Sequence, residues 1–445
     1  MTAPSPRRVA FDVLRQVTGE DAYANLALSK RLATAGLDSR DAGFVTELVS
    51  GTCRLLGTYD RIIEAAGGRA LSTLQPAVVD LLRLGSHQAL SMDVPGRAAV
   101  ATTVDLARET VGQRVTGVIN AILRKVAAKS LDEWTRQLAD GAQGVERLAV
   151  EGHHPVWVAQ AYADVLPDGE LSAALAANNV APTPTLVVRP GLLERDELVR
   201  LGGEPTGFSP FGASFDGQPG SLEPVRDGRA GVQDEGSQLV AWALARVDAP
   251  AGPWLDLCAG PGGKAALLAG LARESGEALV ANEVAEHRAQ LVEQALSAYP
   301  EGTATVVCSD GRRPEALADR GPYARVMVDA PCTGLGALRR RPESRWRRSP
   351  DDVAQLAGLQ RDLLRSAISL TAPGGVVAYV TCSPHRAETR DVVAEVLADG
   401  GLVELLHASD YLPPDADAGE GDFVQLWPHR HGTDAMFLAL LRFPA

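Results

Sequence analysis

The stretch "LDLCAGPGGKAALL", residues 255–268, decides how the second half of this 445-residue chain folds. It opens as an apolar strand carrying Asp256, passes through a turn holding Gly260, Gly262 and Gly263, and continues as the apolar start of a helix. Glycines there let backbone approach a ligand without Cβ clashes, and the helix start offers free N–H groups and the positive end of its dipole. A phosphate-binding P-loop needs a glycine five places before Gly263 and a Ser or Thr after Lys264. Cys258 and Ala265 occupy those places, which disfavours ATP hydrolysis. Gly260, Gly262 and Ala265 fit the looser G-x-G-x-x-A pattern, with Glu283 about 20 residues on and suited to ribose hydroxyls. This turn alone leaves NAD and S-adenosylmethionine both open.

Outward from that turn, the strands "WLDLCAG", "EALVANE", "ATVVCSD", "ARVMVDAP" and "GVVAYVTCS" alternate with amphipathic helices such as "EHRAQLVEQAL" and "TRDVVAEVLAD". The alternation predicts a doubly wound parallel sheet over residues 229–445. Ligands in such sheets bind beyond the carboxyl ends of the strands, so Asp256, Glu283, Asp310, Asp329 and Cys382 are expected to face one crevice. Asp310 suits an adenine amino group. "FLALLRF" near the end predicts an antiparallel edge strand. Earlier segments, including "RRVAFDVLRQV" and "RVTGVINAILRKV", repeat apolar residues at three and four spacings and predict an all-helical domain over 1–140. Residues 141–228 mix a helix, the strand "TPTLVVRP" and a Gly/Pro-rich stretch, and predict a small α+β connecting domain. One core could not serve a chain of this length.

The hydrophobic fraction of 45% is that of a globular protein, and the start "MTAPSPRRVAFDVL" lacks an apolar h-region. A soluble cytoplasmic protein is expected. A net charge of −13 argues against a surface that is basic throughout. The run "RRRPESRWRR" at 339–348 departs from that balance. Its place directly after the Cys332 loop predicts phosphate contacts from Arg339, Arg340, Arg341, Arg345 and Arg348, against the blander reading of a solvated face. Five cysteines, at 53, 258, 308, 332 and 382, lack the spacing of a disulfide framework or a zinc site. His429 and His431 have no carboxylate or cysteine partner at ligand spacing, so a packed loop carrying Trp427 is expected there and no metal.

Two cysteines lie near prolines at the ends of apolar runs, in "MVDAPCTGLG" (327–336) and "VTCSP" (380–384). Carbon 5 of cytosine is a poor nucleophile until a thiolate adds to C6 and makes the ring an enamine that attacks an activated methyl group. Such chemistry needs an activated cysteine, a polar group at the base edge and a methyl donor alongside. Asp329, Cys332 and Cys382 would supply the first two. Cys53, Cys258 and Cys308 lie inside apolar patterns, and their thiols are expected to be small buried hydrophobes.

"DLCAGPGGK", "DAPCTGLG", "RRRPESRW" and "TCS" together resemble the Sun-type family of RNA cytosine C5 methyltransferases. "GVQDEGSQL" is similar to that family's entry into its catalytic domain, and "WPHRHGTDAMFLALL" to its end. "GFVTELV", "LRLGSHQAL", "MDVP" and "VINAILRKV" resemble the NusB-like RNA-binding domain fused to the family's bacterial small-subunit ribosomal RNA members. The resemblance implies a multidomain protein whose Rossmann-like domain binds S-adenosylmethionine, and a cytoplasmic monomer acting on 16S ribosomal RNA. It places the methyl-donor loop on Cys258, Ala259, Gly260, Pro261, Gly262, Gly263 and Lys264, the ribose acid on Glu283, the adenine-side acid on Asp310 and the target-base acid on Asp329. It makes Cys382 the nucleophile and Cys332 the cysteine that helps resolve the covalent intermediate. Two other classes stand beside it: an RNA-binding scaffold with an inactive catalytic half, which intact Lys264, Asp329, Cys332 and Cys382 argue against, and an NAD oxidoreductase, for which no hydride-site His or Tyr stands in a suitable context.

Overall fold

The computed structural model describes residues 5–400, 403–418 and 421–445. The chain divides into two compact units: Met1–Val180 with Leu338–Arg348, and Ala181–Ala337 with Ser349–Ala445. This differs from the expected three parts. The helices of 141–177 group with the N-terminal helices, the small sheet groups with the large one, and one segment of the second half belongs to the helical unit.

In the helical unit, seven helices from Pro6–Gly19 to Thr116–Val126 enclose a core that includes Leu14, Leu48, Tyr59, Ile62, Leu81 and Leu123, and four shorter helices follow from Leu131–Leu138 to Leu171–Ala177. The helix Leu131–Leu138 starts on a capping box in which Ser130 and Glu133 satisfy each other's backbone N–H groups. The segment Leu338–Arg348 packs into this unit by side chains that sequence pattern assigns to the surface. Arg345 is fully buried and donates to the Asn179 Oδ1 (2.6 Å) and to the carbonyls of Asn178 (2.9 Å) and His153 (3.2 Å). Trp346 Nε1 donates to the Arg54 carbonyl at 3.1 Å, and Arg347 donates to the carbonyls of Val17, Asp21 and Ala22.

The second unit holds two sheets among the described residues. The smaller is antiparallel: β1 (Thr185–Val188), β2 (Glu204–Pro205), β3 (Gly212–Ser214) and β4 (Ala230–Val232), in the order β2-β3-β1-β4. The larger comprises β5 (Trp254–Asp256), β6 (Leu279–Asn282), β7 (Ala304–Val307), β8 (Tyr323–Asp329), β9 (Thr371–Thr381), β10 (Glu404–Leu406), β11 (Phe423–Gln425) and β12 (Phe437–Arg442). Its order is β10-β12-β9-β8-β5-β6-β7, with β11 also pairing β12. The strands β5 to β9 are parallel, as expected.

Both faces of this sheet are covered, which explains the unbroken apolar runs. Along β9, Val376, Ala378 and Val380 join one core with the helices Glu235–Arg246 and Gly263–Glu274, while Val377 and Tyr379 join the other with Pro350–Leu370 and Arg390–Ala398. The closing strand β12 is antiparallel but is not an edge. It pairs β9 from Phe437↔Thr381 to Arg442↔Val376 on one side, and the short β10 and β11 on the other.

Candidate active site

The chain order crosses over between β5 and β8, and side chains at the carboxyl ends of these strands meet there. The loop Cys258–Gly263 leaves β5 and enters the helix Gly263–Glu274. Gly262 has φ +108°, and a Cβ on it would lie 2.6 Å from the Ala295 Cβ, so only glycine serves. Gly260 lies so close to the Glu283 carboxylate that a Cβ would displace it. Gly260 N donates to Glu283 Oε2 at 3.1 Å, Ala285 N donates to Oε1 at 3.0 Å, and Arg288 donates to the Gly260 carbonyl at 2.6 Å. A buried carboxylate is thereby fixed at the end of β6, beside the loop.

Asp310, beyond β7, is gripped by the forked guanidinium of Arg312, with contacts of 2.6 to 3.1 Å, which pulls its carboxyl down to about 2. Asp256, at the end of β5, is fully buried. Burial, followed by the Asp329 charge, pushes its carboxyl up to about 7, and its Oδ2 has no hydrogen-bond partner. Cys258 is half-buried, and burial pushes its thiol well up. Cys53 is fully buried. Cys308 is not: it is exposed, because β7 is the outer strand on its side and only partly covered.

Lys264 Nζ donates to Asp329 Oδ2 at 2.8 Å, joining the first turn of the loop's helix to the end of β8. Burial alone would lower the lysine, but the Asp329 carboxylate and its hydrogen bond outweigh it, with Cys382 and Asp256 adding to the upward pull. The group there is an ammonium ion. Beside it, Cys332 Sγ and Cys382 Sγ are 3.4 Å apart, brought from the loops that follow β8 and β9. The Cys332 thiol is held well above its ordinary range by its hydrogen bond to Cys382 and by burial, with the charge of Glu388 contributing. Either sulfur could be the donor in this contact, and the raised Cys332 thiol favours Cys332 in that role.

The structure thus brings together Lys264, Asp329, Cys332 and Cys382, with Glu283 at the glycine-rich loop and Asp310 beyond the next strand. It does not bring Arg345 to a surface. Arg345 is a structural residue inside the helical unit, because three backbone and side-chain oxygens there need a donor. Arg339 is buried as well, and Arg341 lies over the Tyr23 ring at 4.9 Å, whereas Arg340 is exposed. His431, in the loop carrying Trp427, accepts from the Trp427 N–H at 2.8 Å. Sequence reasoning missed Glu388, Thr333 and Ser383, which tie the two cysteine loops together, although Thr333 and Ser383 directly follow the cysteines.

An open α/β sheet with a glycine-rich loop, an acid fixed beside that loop and another beyond the following strand defines a class of enzymes that bind a nucleotide-type cofactor, NAD or S-adenosylmethionine, at the carboxyl ends of the strands. Residues 242–442 match the 16S rRNA methyltransferase RsmB/F family, and residues 4–128 match the NusB family. The methyltransferase Rv1407 of Mycobacterium tuberculosis is 51% identical over 444 residues, spanning 98% of this chain and 96% of that protein. Ribosomal RNA small subunit methyltransferase B of Vibrio vulnificus is 30% identical over 447 residues, spanning 98% of each. The crystal structure of PH0851 shares the fold, with a TM-score of 0.83 over 99% of both chains at 22% identity. This chain belongs to the RsmB/F family of 16S rRNA methyltransferases, with a NusB-family domain at its N-terminal end. Its cofactor is S-adenosylmethionine, which supplies an activated methyl group. The residues present fit it: the glycine-rich loop leaves room for a ligand to approach the backbone, and Glu283 beside the loop and Asp310 beyond β7 would hold its ribose and adenine sides.

Proposed function

We propose that this chain methylates carbon 5 of a cytosine in 16S ribosomal RNA through a covalent bond from Cys382 to C6 of the base. The carrying observation is the sulfur pair, 3.4 Å apart, with the Lys264–Asp329 ion pair nearby. Cys382 thiolate adds to C6, and the displaced electron pair makes C5 the nucleophile toward the methyl group. A general base then takes the C5 proton, the C5–H electron pair re-forms the C5–C6 double bond, and the Cys382–C6 bond breaks to return the thiolate. Cys332, beside the departing sulfur, assists this release. Lys264 and Asp329 offer a donor and an acceptor, which complement N3 and the exocyclic amine of cytosine. The names of the family and of its relatives support a ribosomal substrate, and the NusB-family domain supports RNA binding by the helical unit. No helix among the described residues is long and apolar enough to cross a membrane, and the proposed site of action is the cytoplasm, where ribosomal RNA is modified.

The test separates the cysteines. Cys382→Ala is expected to form no adduct and transfer no methyl group. Cys332→Ala is expected to attack and methylate but release poorly, leaving a denaturant-resistant protein–RNA species on a gel that vanishes when Cys382 is also replaced. An adduct accumulating in Cys382→Ala would reverse the roles. Both variants active with no adduct would overturn covalent catalysis.

A further inference from the structure

We propose that Glu388 is the positioning residue that sets the Cys332–Cys382 geometry, by clamping together the two residues that follow the cysteines. The inference rests on the covalent reading above for its importance to the reaction, though not for its geometry. Glu388 ends a short turn, Arg386–Glu388, just before the helix Arg390–Ala398, and its side chain is completely buried. Its Oε1 accepts from the Thr333 backbone N–H at 2.7 Å and from Gln360 Nε2 at 3.3 Å. Its Oε2 accepts from the Ser383 hydroxyl at 2.7 Å and from the Thr333 hydroxyl. Thr333 follows Cys332 and Ser383 follows Cys382, so one carboxylate holds both cysteine loops.

The clamp is itself held. Tyr379, on β9, donates its hydroxyl to the Glu388 carbonyl at 2.8 Å, and Gln360, on the helix Pro350–Leu370, also donates to the carbonyl of Pro331, the residue before Cys332, at 2.8 Å. Burying a carboxylate is unfavourable unless its oxygens are satisfied, and four donors converge here on a group that neither opens to solvent nor pairs with a cation in this network. A carboxylate also suits the task better than a hydroxyl, because its two oxygens diverge and each can accept twice. The loops have further ties, from Gly336 N to the Cys382 carbonyl at 2.8 Å and between the Thr333 and Ser383 hydroxyls at 3.5 Å. Removing Glu388 should therefore loosen the pair rather than separate the loops. The same carboxylate adds to the forces that keep Cys332 protonated.

The experiment reads geometry apart from catalysis. Diamide, which accepts two electrons and two protons as two thiols join, is added to the full-length protein, and the Cys332–Cys382 disulfide is followed by mass spectrometry of the linked peptides. Cross-linking rate depends on how often the sulfurs meet, so Glu388→Ala is expected to slow it about tenfold or more. Glu388→Gln is expected to rescue, since its carbonyl oxygen can face the Thr333 N–H while its NH2 donates to the two hydroxyls, which rotate to accept. Glu388→Asp, one methylene shorter, gives the same reading as the alanine variant if that variant does not fold. Single-turnover methylation is measured alongside, with cofactor affinity as the control expected to stay constant. Cross-linking in folded Glu388→Ala or Glu388→Asp at the wild-type rate would overturn the clamp. Slowed cross-linking with undiminished methyl transfer would leave the clamp standing and count against the covalent reading instead.

Discussion

Replacing Arg345 by alanine is expected to destabilise the helical unit and leave RNA binding alone. Its guanidinium satisfies the carbonyls of His153 and Asn178 and the Asn179 Oδ1, all within the unit. Each acceptor left unsatisfied in the interior costs about 1 kcal/mol or more, so the three together give a loss of about 3 kcal/mol. For a unit of this size each kcal/mol shifts the melting temperature by about 2–4 °C, which predicts a fall of about 6–12 °C in scanning calorimetry of the full-length protein. Arg345→Met should fall somewhat less, because methionine keeps the packed stem although it leaves the same three acceptors without a donor. Burial, with Arg54 adding, pulls the wild-type guanidinium down to about 9, and both variants remove the cost of carrying that cation in the interior. The contrasting position is Arg340, which is exposed. If it neutralises one phosphate, Arg340→Ala should lower the slope of log affinity against log salt by about 0.7–0.9, whereas Arg345→Ala should leave the slope unchanged in protein that remains folded. An unaltered melting temperature for Arg345→Ala together with a flatter salt slope would refute this reasoning and return Arg345 to the RNA surface.

Glu283→Ala should weaken S-adenosylmethionine binding in titration calorimetry by about 10- to 100-fold, the range expected for losing hydrogen bonds to a charged acceptor. Unchanged affinity would remove Glu283 from the cofactor site. Asp256 makes stability depend on pH. Its folded-state carboxyl lies at about 7, above its ordinary value, so between about 4 and about 7 the folded protein binds the extra proton and its contribution to stability is lost as pH rises through that window. Asp256→Asn should flatten that part of the curve in urea denaturation, and parallel curves for variant and wild type would count against a buried neutral carboxyl.

What the sequence discloses depends on whether a residue's role is local. The glycine-rich turn was legible because a strand end, glycines and a helix start are neighbours in the chain, and their backbone geometry follows from residue type. The strands of the parallel sheet were legible because both faces are covered, which leaves apolar runs such as "GVVAYV". The position of "FLALL" was not. Its apolar run is consistent with cover on both faces, but its lateral neighbours β10 and β11 are three residues each, too short to show a period, so an interior strand passed for an edge. The boundary near 140 failed for a similar reason, since helical periodicity says nothing about which helices share a core.

Arg345 and Glu388 show the same limit at its sharpest. Both are charged and both are fully buried, and charged residues are rarely buried unless specific partners satisfy them. The acceptors that hold Arg345 lie at 153, 178 and 179, and the donors that hold Glu388 lie at 333, 360 and 383. No window around either residue contains its full set of partners. Arg345 sits among five other arginines and so takes on the apparent meaning of its neighbours, a basic face for phosphate. Glu388 sits in "SPHRAETRDVV", where basic residues surround it and nothing suggests an acceptor for two loops. A cluster of like charges in sequence is therefore evidence about a surface only for those members that the fold leaves exposed, and in the run 339–348 that distinction separates exposed Arg340 from fully buried Arg345.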